Sequence, residues 1–176
     1  MGTPQRTTII RVGTIIGVIA VLALDAGAHA ATRTATANVR TAIIAPLSIT
    51  KVNDLSFGNI VPGATAGTVT INQASGAATK TGGVTVFGTA NHTASFNVTG
   101  SGGHNYVITV GAAPTLTRAG GTQTMKVTAL VLNGAKTRAM PASGAATLTL
   151  GGTLAVAANQ VAGAYSGTFT VSVAYP

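Results

Sequence analysis

The 176-residue chain contains no cysteine, no tryptophan and no glutamate. Without cysteine there is no disulfide, no thiolate nucleophile and no thiolate metal ligand, so packing and hydrogen bonding alone must hold the fold. Acidic charge is almost missing as well: Asp25 and Asp54 stand against ten Lys and Arg residues, a formal net charge of +8. That scarcity argues against an enzyme. Past residue 30, the groups suited to proton transfer near neutral pH are Asp54, His92 and His104. In "KVNDLSFG" the Asn-Asp pair suits a side-chain-to-backbone turn bond, and both histidines fall at loop-like positions. A zinc site needs three or four ligands brought together, and three candidates this scattered make a weak one. We therefore expect no catalytic residues, no metal and no cofactor.

Long helical periodicity is also absent beyond the N-terminus. There, Arg6 and Arg11 precede the apolar run "VGTIIGVIAVLAL", and "AHA" at Ala28 to Ala30 supplies the small residues of a cleavage site. This pattern is expected to be a secretory signal peptide over residues 1–30. The run ends at Asp25 after 13 residues, short of the roughly 20 that a spanning helix requires. What remains, residues 31–176, is enough chain for one ordinary domain. In that remainder eight Lys or Arg residues face Asp54 alone. They are dispersed, and the aromatic residues fall in apolar phase instead of forming a stacking platform, so nucleic acid is not the expected partner. The dispersed charge reads first as a cationic surface that aids solubility; acidic surface polysaccharide or lipid headgroups are partners it would also suit.

What is abundant is short-range alternation. "GTVTIN" puts Val69 and Ile71 on one face, "TASFNVTG" puts Ala94, Phe96 and Val98, and "NYVITVG" puts Tyr106, Ile108 and Val110. "TMKVTALVLN" places Met125, Val127, Ala129 and Val131 in one phase. "AATLTLGGTLAV" keeps Ala146, Leu148, Leu150, Leu154 and Val156 in register across Gly151 and Gly152, as one bent strand or two joined at a kink. "QASGAATKTGG", "TGSGGHN" and "TRAGGTQ" read as Gly-rich connections. No helix follows them, which excludes a phosphate-binding loop. The expectation is an all-β protein, an immunoglobulin-like antiparallel β-sandwich.

Both ends of residues 31–176 alternate too. In "ATRTATANVRTAIIAPLSITK", Ala35, Ala37, Val39 and Ile43 share one parity, with Thr34, Thr36, Asn38 and Arg40 on the other, before Pro46 interrupts the run. In "GAYSGTFTVSVAYP", the odd positions Gly163, Tyr165, Gly167, Phe169, Val171, Val173 and Tyr175 are apolar or Gly, and the even ones as far as Ala174 are Ala, Ser or Thr. A terminal strand this regular is expected to be paired, within the chain or with another.

These features resemble the bacterial chaperone-usher pilin-type subunits, nearest to the secreted pilin-like domains related to spore coat protein U. The likeness rests on "LSFGNIVPG", on the Thr- and Gly-rich alternating strands, and on a Gly fourteen residues from the end with an aromatic next to last, here Gly163 and Tyr175. It implies a sandwich lacking its last strand, completed by a donor strand. It further implies residues 31–45 as the N-terminal extension and 46–176 as the pilin-like domain. Ala35, Ala37, Val39 and Ile43 would be donor side chains. Gly163, Tyr165, Phe169, Val171, Val173 and Tyr175 would form the strand that accepts a donor or a chaperone. The implied partners are a periplasmic chaperone, an outer-membrane usher and neighbouring subunits, with export to the cell surface. The expected function is that of a structural subunit of an adhesive surface fibre. The alternatives are a self-complemented secreted coat or matrix protein of the same fold and a sugar-binding adhesin module.

Overall fold

A computed structural model describes residues 32–176, so the signal peptide expected over residues 1–30 lies outside the described residues. Residues 41–176 form one compact unit. Residues 32–40 belong to a separate unit, contain no helix or strand and are exposed throughout.

The compact unit is built from strands alone: β1 (Ser48–Asn53), β2 (Ser56–Ile71), β3 (Ala78–His92), β4 (Ala94–Thr99), β5 (Asn105–Val110), β6 (Thr115–Arg118), β7 (Thr124–Leu132), β8 (Thr137–Ala139), β9 (Ala145–Val156), β10 (Tyr165–Ser166) and β11 (Val171–Ala174). The first sheet runs β1-β4-β9-β7-β6-β10, with β2 joining β9 and β3 joining β2; the second runs β11-β5-β8. Every pairing is antiparallel. The fold is an immunoglobulin-like β-sandwich.

Local chemistry sets the element boundaries. β2 stops at Asn72, whose Oδ1 accepts from the amides of Ala74 and Ser75 at 2.9 and 3.0 Å, turning the chain into β3. Strand β3 occupies part of what the Gly-rich composition suggested was a connection: Ala78–Gly82 are laddered to β2, and only the turn after Ile71 is a loop. Two glycines in "TKTGG" obscure the alternation of Val84 and Val86 that follows.

Strand β9 is continuous across its two glycines, with Leu148, Leu150, Leu154 and Val156 all buried in one phase. Its neighbour on one edge changes along its length. Residues 145–150 pair with β4 and residues 152–156 pair with β2. A Cβ on Gly151 would lie 2.1 Å from the Ile71 carbonyl oxygen, so the absent side chain is what lets β2 approach.

The single phase expected for β7 is corrected by a β-bulge between Val127 and Ala129. Before it, Met125 and Val127 face inward as expected; beyond it, Leu130 and Leu132 take the inner face and Val131 is exposed. One inserted residue reverses the alternation.

Two apolar clusters follow from this layout. Between the sheets, Val98, Tyr106, Ile108, Met140 and Leu148 are buried, with Ile49, Val110, Val171 and Val173 packed around them. At the other end, Phe57, Val69, Ile71, Val84, Val127, Leu154 and Val156 gather where the first sheet curls. Each fully buried aliphatic side chain contributes on the order of 1.5 to 3 kcal/mol. The second sheet covers the first cluster, and the margin of the second is left open.

Candidate functional site

That open margin is a groove of about 850 Å³. One wall is the chain from Lys51 to Ile60, the other the chain from Gln160 to Phe169, and the floor includes Ala94, Phe96, Val127, Leu154 and Val156. The groove exists because neither wall is laddered to the other. Residues 56–62 of β2 pair with β3 on one edge, and β9 reaches β2 only from Gly67 onward. Their remaining edge has no strand partner among the described residues. Opposite, β10 pairs with β6 and β11 with β5, each on one edge only.

The C-terminal stretch is therefore not one strand. Tyr165 and Ser166 belong to the first sheet, Val171–Ala174 to the second, and the chain crosses between them at residues 167–170. The alternation survives the crossing: Tyr165, Phe169, Val171, Val173 and Tyr175 are half-buried while the even positions are exposed. Half-burial of a consistently inward set is what a strand shows when one flank lacks a neighbour. Gly163 is exposed, with φ +151°, and its Hα side faces the Arg118 guanidinium, which donates to the Ala162 carbonyl at 2.8 Å.

Specific contacts hold the walls. Phe169 meets Phe96 edge-on with centroids 6.5 Å apart, a favourable aromatic geometry. The Tyr165 hydroxyl donates to the Val161 carbonyl at 2.7 Å and accepts from Gln160 Nε2 at 2.8 Å. Beyond Phe169, Tyr175 ties the C-terminal segment to two distant residues: its hydroxyl donates to the Ala45 carbonyl at 2.9 Å and accepts from the Ser101 amide at 2.7 Å. The His104 ring lies edge-on to it at 6.2 Å.

The donor residues named from the sequence take no part in any ladder. Ala35, Ala37, Val39 and Ile43 are all exposed, Val39 by 97% and Ile43 by 96%, and among the described residues no strand begins before Ser48. The extended alternation of residues 32–46 is thus not paired among the described residues.

Asp54 stands on the groove rim, its Oδ1 2.7 Å from Lys51 Nζ, with both side chains more than half exposed. It bonds a side chain instead of the backbone turn expected from "NDLS". His92 Nδ1 lies 3.3 Å from the Thr93 carbonyl and His104 Nδ1 lies 3.1 Å from that of Gly102. Among the described residues no group of three His, Asp, Glu or Cys side chains could hold a metal.

Residues 47–175 match the family model described as Domain of unknown function (DUF4402). The chain belongs to this family. Its DUF4402 domain begins just after Pro46 and takes in both groove walls and Tyr175, while the alternating segment 32–46 precedes it. Comparison with curated proteins and with solved structures gives no match.

Of the residues named from the sequence, Gly163, Tyr165 and Phe169 line the C-terminal wall, and the floor residues Ala94, Phe96, Val127, Leu154 and Val156 were legible as apolar faces, whereas the other wall gave no sign. Leu55, Phe57 and Ile60 lie on either side of the positive-φ Gly58, which breaks their period. A run without a period gives no signal.

Proposed function

We propose that this protein is a structural subunit of a bacterial surface fibre, assembled when the alternating N-terminal segment of one subunit enters the groove of the next, with a role in surface adhesion. The single observation that carries the reading is a groove with an apolar floor, bordered by two chain segments that are not laddered to each other, in a chain whose own alternating segment 32–46 is exposed and takes part in no ladder among the described residues. An empty groove leaves backbone amides and apolar side chains in water, and an extended strand with alternate apolar residues satisfies both. Ala35, Ala37, Val39 and Ile43 have the inward parity for this. Their small size makes the fit shallow and the binding weaker than that of a Val- and Leu-rich strand. On this reading a periplasmic chaperone occupies the groove during export and an outer-membrane usher orders assembly.

Deletion of residues 32–44 from the exported chain tests it. The truncated domain is expected to fold and to remain monomeric, while the intact chain forms multimers that light scattering detects. Equal multimer formation by both chains, or none by either, overturns the proposal.

A further inference from the structure

We infer that Asp54 is the electrostatic anchor that sets where a second copy's N-terminal segment seats in the groove, by pairing with that copy's Arg40. The inference rests on the strand-donation reading and adds a register and a partner to it. Its starting point is a charge imbalance. Among the described residues Asp54 is the only acidic side chain, and it stands on the groove rim. Two copies of so basic a chain repel one another at long range, and among the described residues every pairing of charged side chains between them that does not involve Asp54 is repulsive. The one attractive position on this face therefore lies where the incoming strand must dock.

Parity selects the cation. With Val39 and Ile43 turned to the floor, Arg40 points to the rim, where Asp54 is exposed. Arg33 shares the inward parity of Ala35 and so faces away from the rim. Lys51 already engages Oδ1 of Asp54; no hydrogen bond to Oδ2 is formed among the described residues, and a guanidinium fork suits a carboxylate that offers a second oxygen. The pair is exposed, so its effect is modest and salt-dependent. It selects register and partner, while the apolar row supplies most of the binding.

The test compares the intact exported chain with Arg40→Asp, Asp54→Arg and the double variant, measuring by light scattering the concentration at which half the protein is assembled. Each single change is expected to raise it about two- to fivefold at low salt. The double variant is expected to recover, and added salt to shrink the difference. Arg40 lies outside the folded unit, so Arg40→Asp reports on assembly even where Asp54→Arg disturbs its rim. Assembly of Arg40→Asp indistinguishable from the parent, or no recovery in the double variant, overturns the Asp54–Arg40 pairing while strand donation stands, provided that removal of residues 32–44 still abolishes multimers. An intact chain that stays monomeric, or multimers that persist without residues 32–44, overturns both.

Discussion

At Gly151 one hydrogen atom decides whether two strands can meet. A Cβ there would lie 2.1 Å from the Ile71 carbonyl oxygen, which is backbone and has little room to yield. Gly151→Ala is expected to lower unfolding free energy by about 1 to 3 kcal/mol, the usual cost of forced overpacking, measured by urea denaturation. Leu154 is the opposite case: 1% exposed in the cluster beneath the groove, it leaves a cavity when truncated. Leu154→Ala should cost about 2 to 5 kcal/mol in the same assay. Tyr175 acts through its hydroxyl. Tyr175→Phe keeps the ring against His104 but leaves the Ser101 amide and the Ala45 carbonyl without their shared partner. A loss of about 0.5 to 1.5 kcal/mol is expected, with faster amide exchange at Ser101. The Leu effect follows from a residue whose phase was legible in the sequence, whereas that of Gly151 depends on Ile71, far away along the chain. That of Tyr175 was not legible either, because its two partners lie 74 and 130 positions away along the chain.

Alternation identifies a strand only while its period holds. β4, β5 and β9 keep the period, so Val98, Tyr106, Ile108 and Leu148 were recognisable as core, and all are buried. β7 loses it at a bulge that no residue type announces, and the inward set changes from Ala129 and Val131 to Leu130 and Leu132. β3 was hidden by Gly82 and Gly83, which weaken the pattern where the register with β2 slips between Gly82 and Val84. This strand also pairs on one edge only and carries Phe87, 69% exposed, near the equally outward Val61. Such an edge templates nonspecific association. Phe87→Ser is expected to change stability by less than about 0.5 kcal/mol, and to reduce aggregation of the domain lacking residues 32–44, followed by turbidity on storage.

For the molecule as a whole, the strand content and the two-faced pattern were settled by composition and period: with no cysteine, one acid beyond residue 30 and many short alternating runs, packed antiparallel sheets were the available solution. The sequence also marked both terminal segments as strand-like, and the odd parity of Tyr165, Phe169, Val171 and Val173 is their inward parity in the fold. Only the tertiary structure decided that the C-terminal run divides between two sheets, that β9 changes neighbours at Gly151 and Gly152, and that a groove remains where Lys51–Ile60 and Gln160–Phe169 fail to ladder. The reason is physical. Which face of a strand is buried depends on residues one and two places apart, which a sequence displays directly; which edge finds a partner depends on segments a hundred residues apart, and on whether one chain has enough strands to cover every edge it creates.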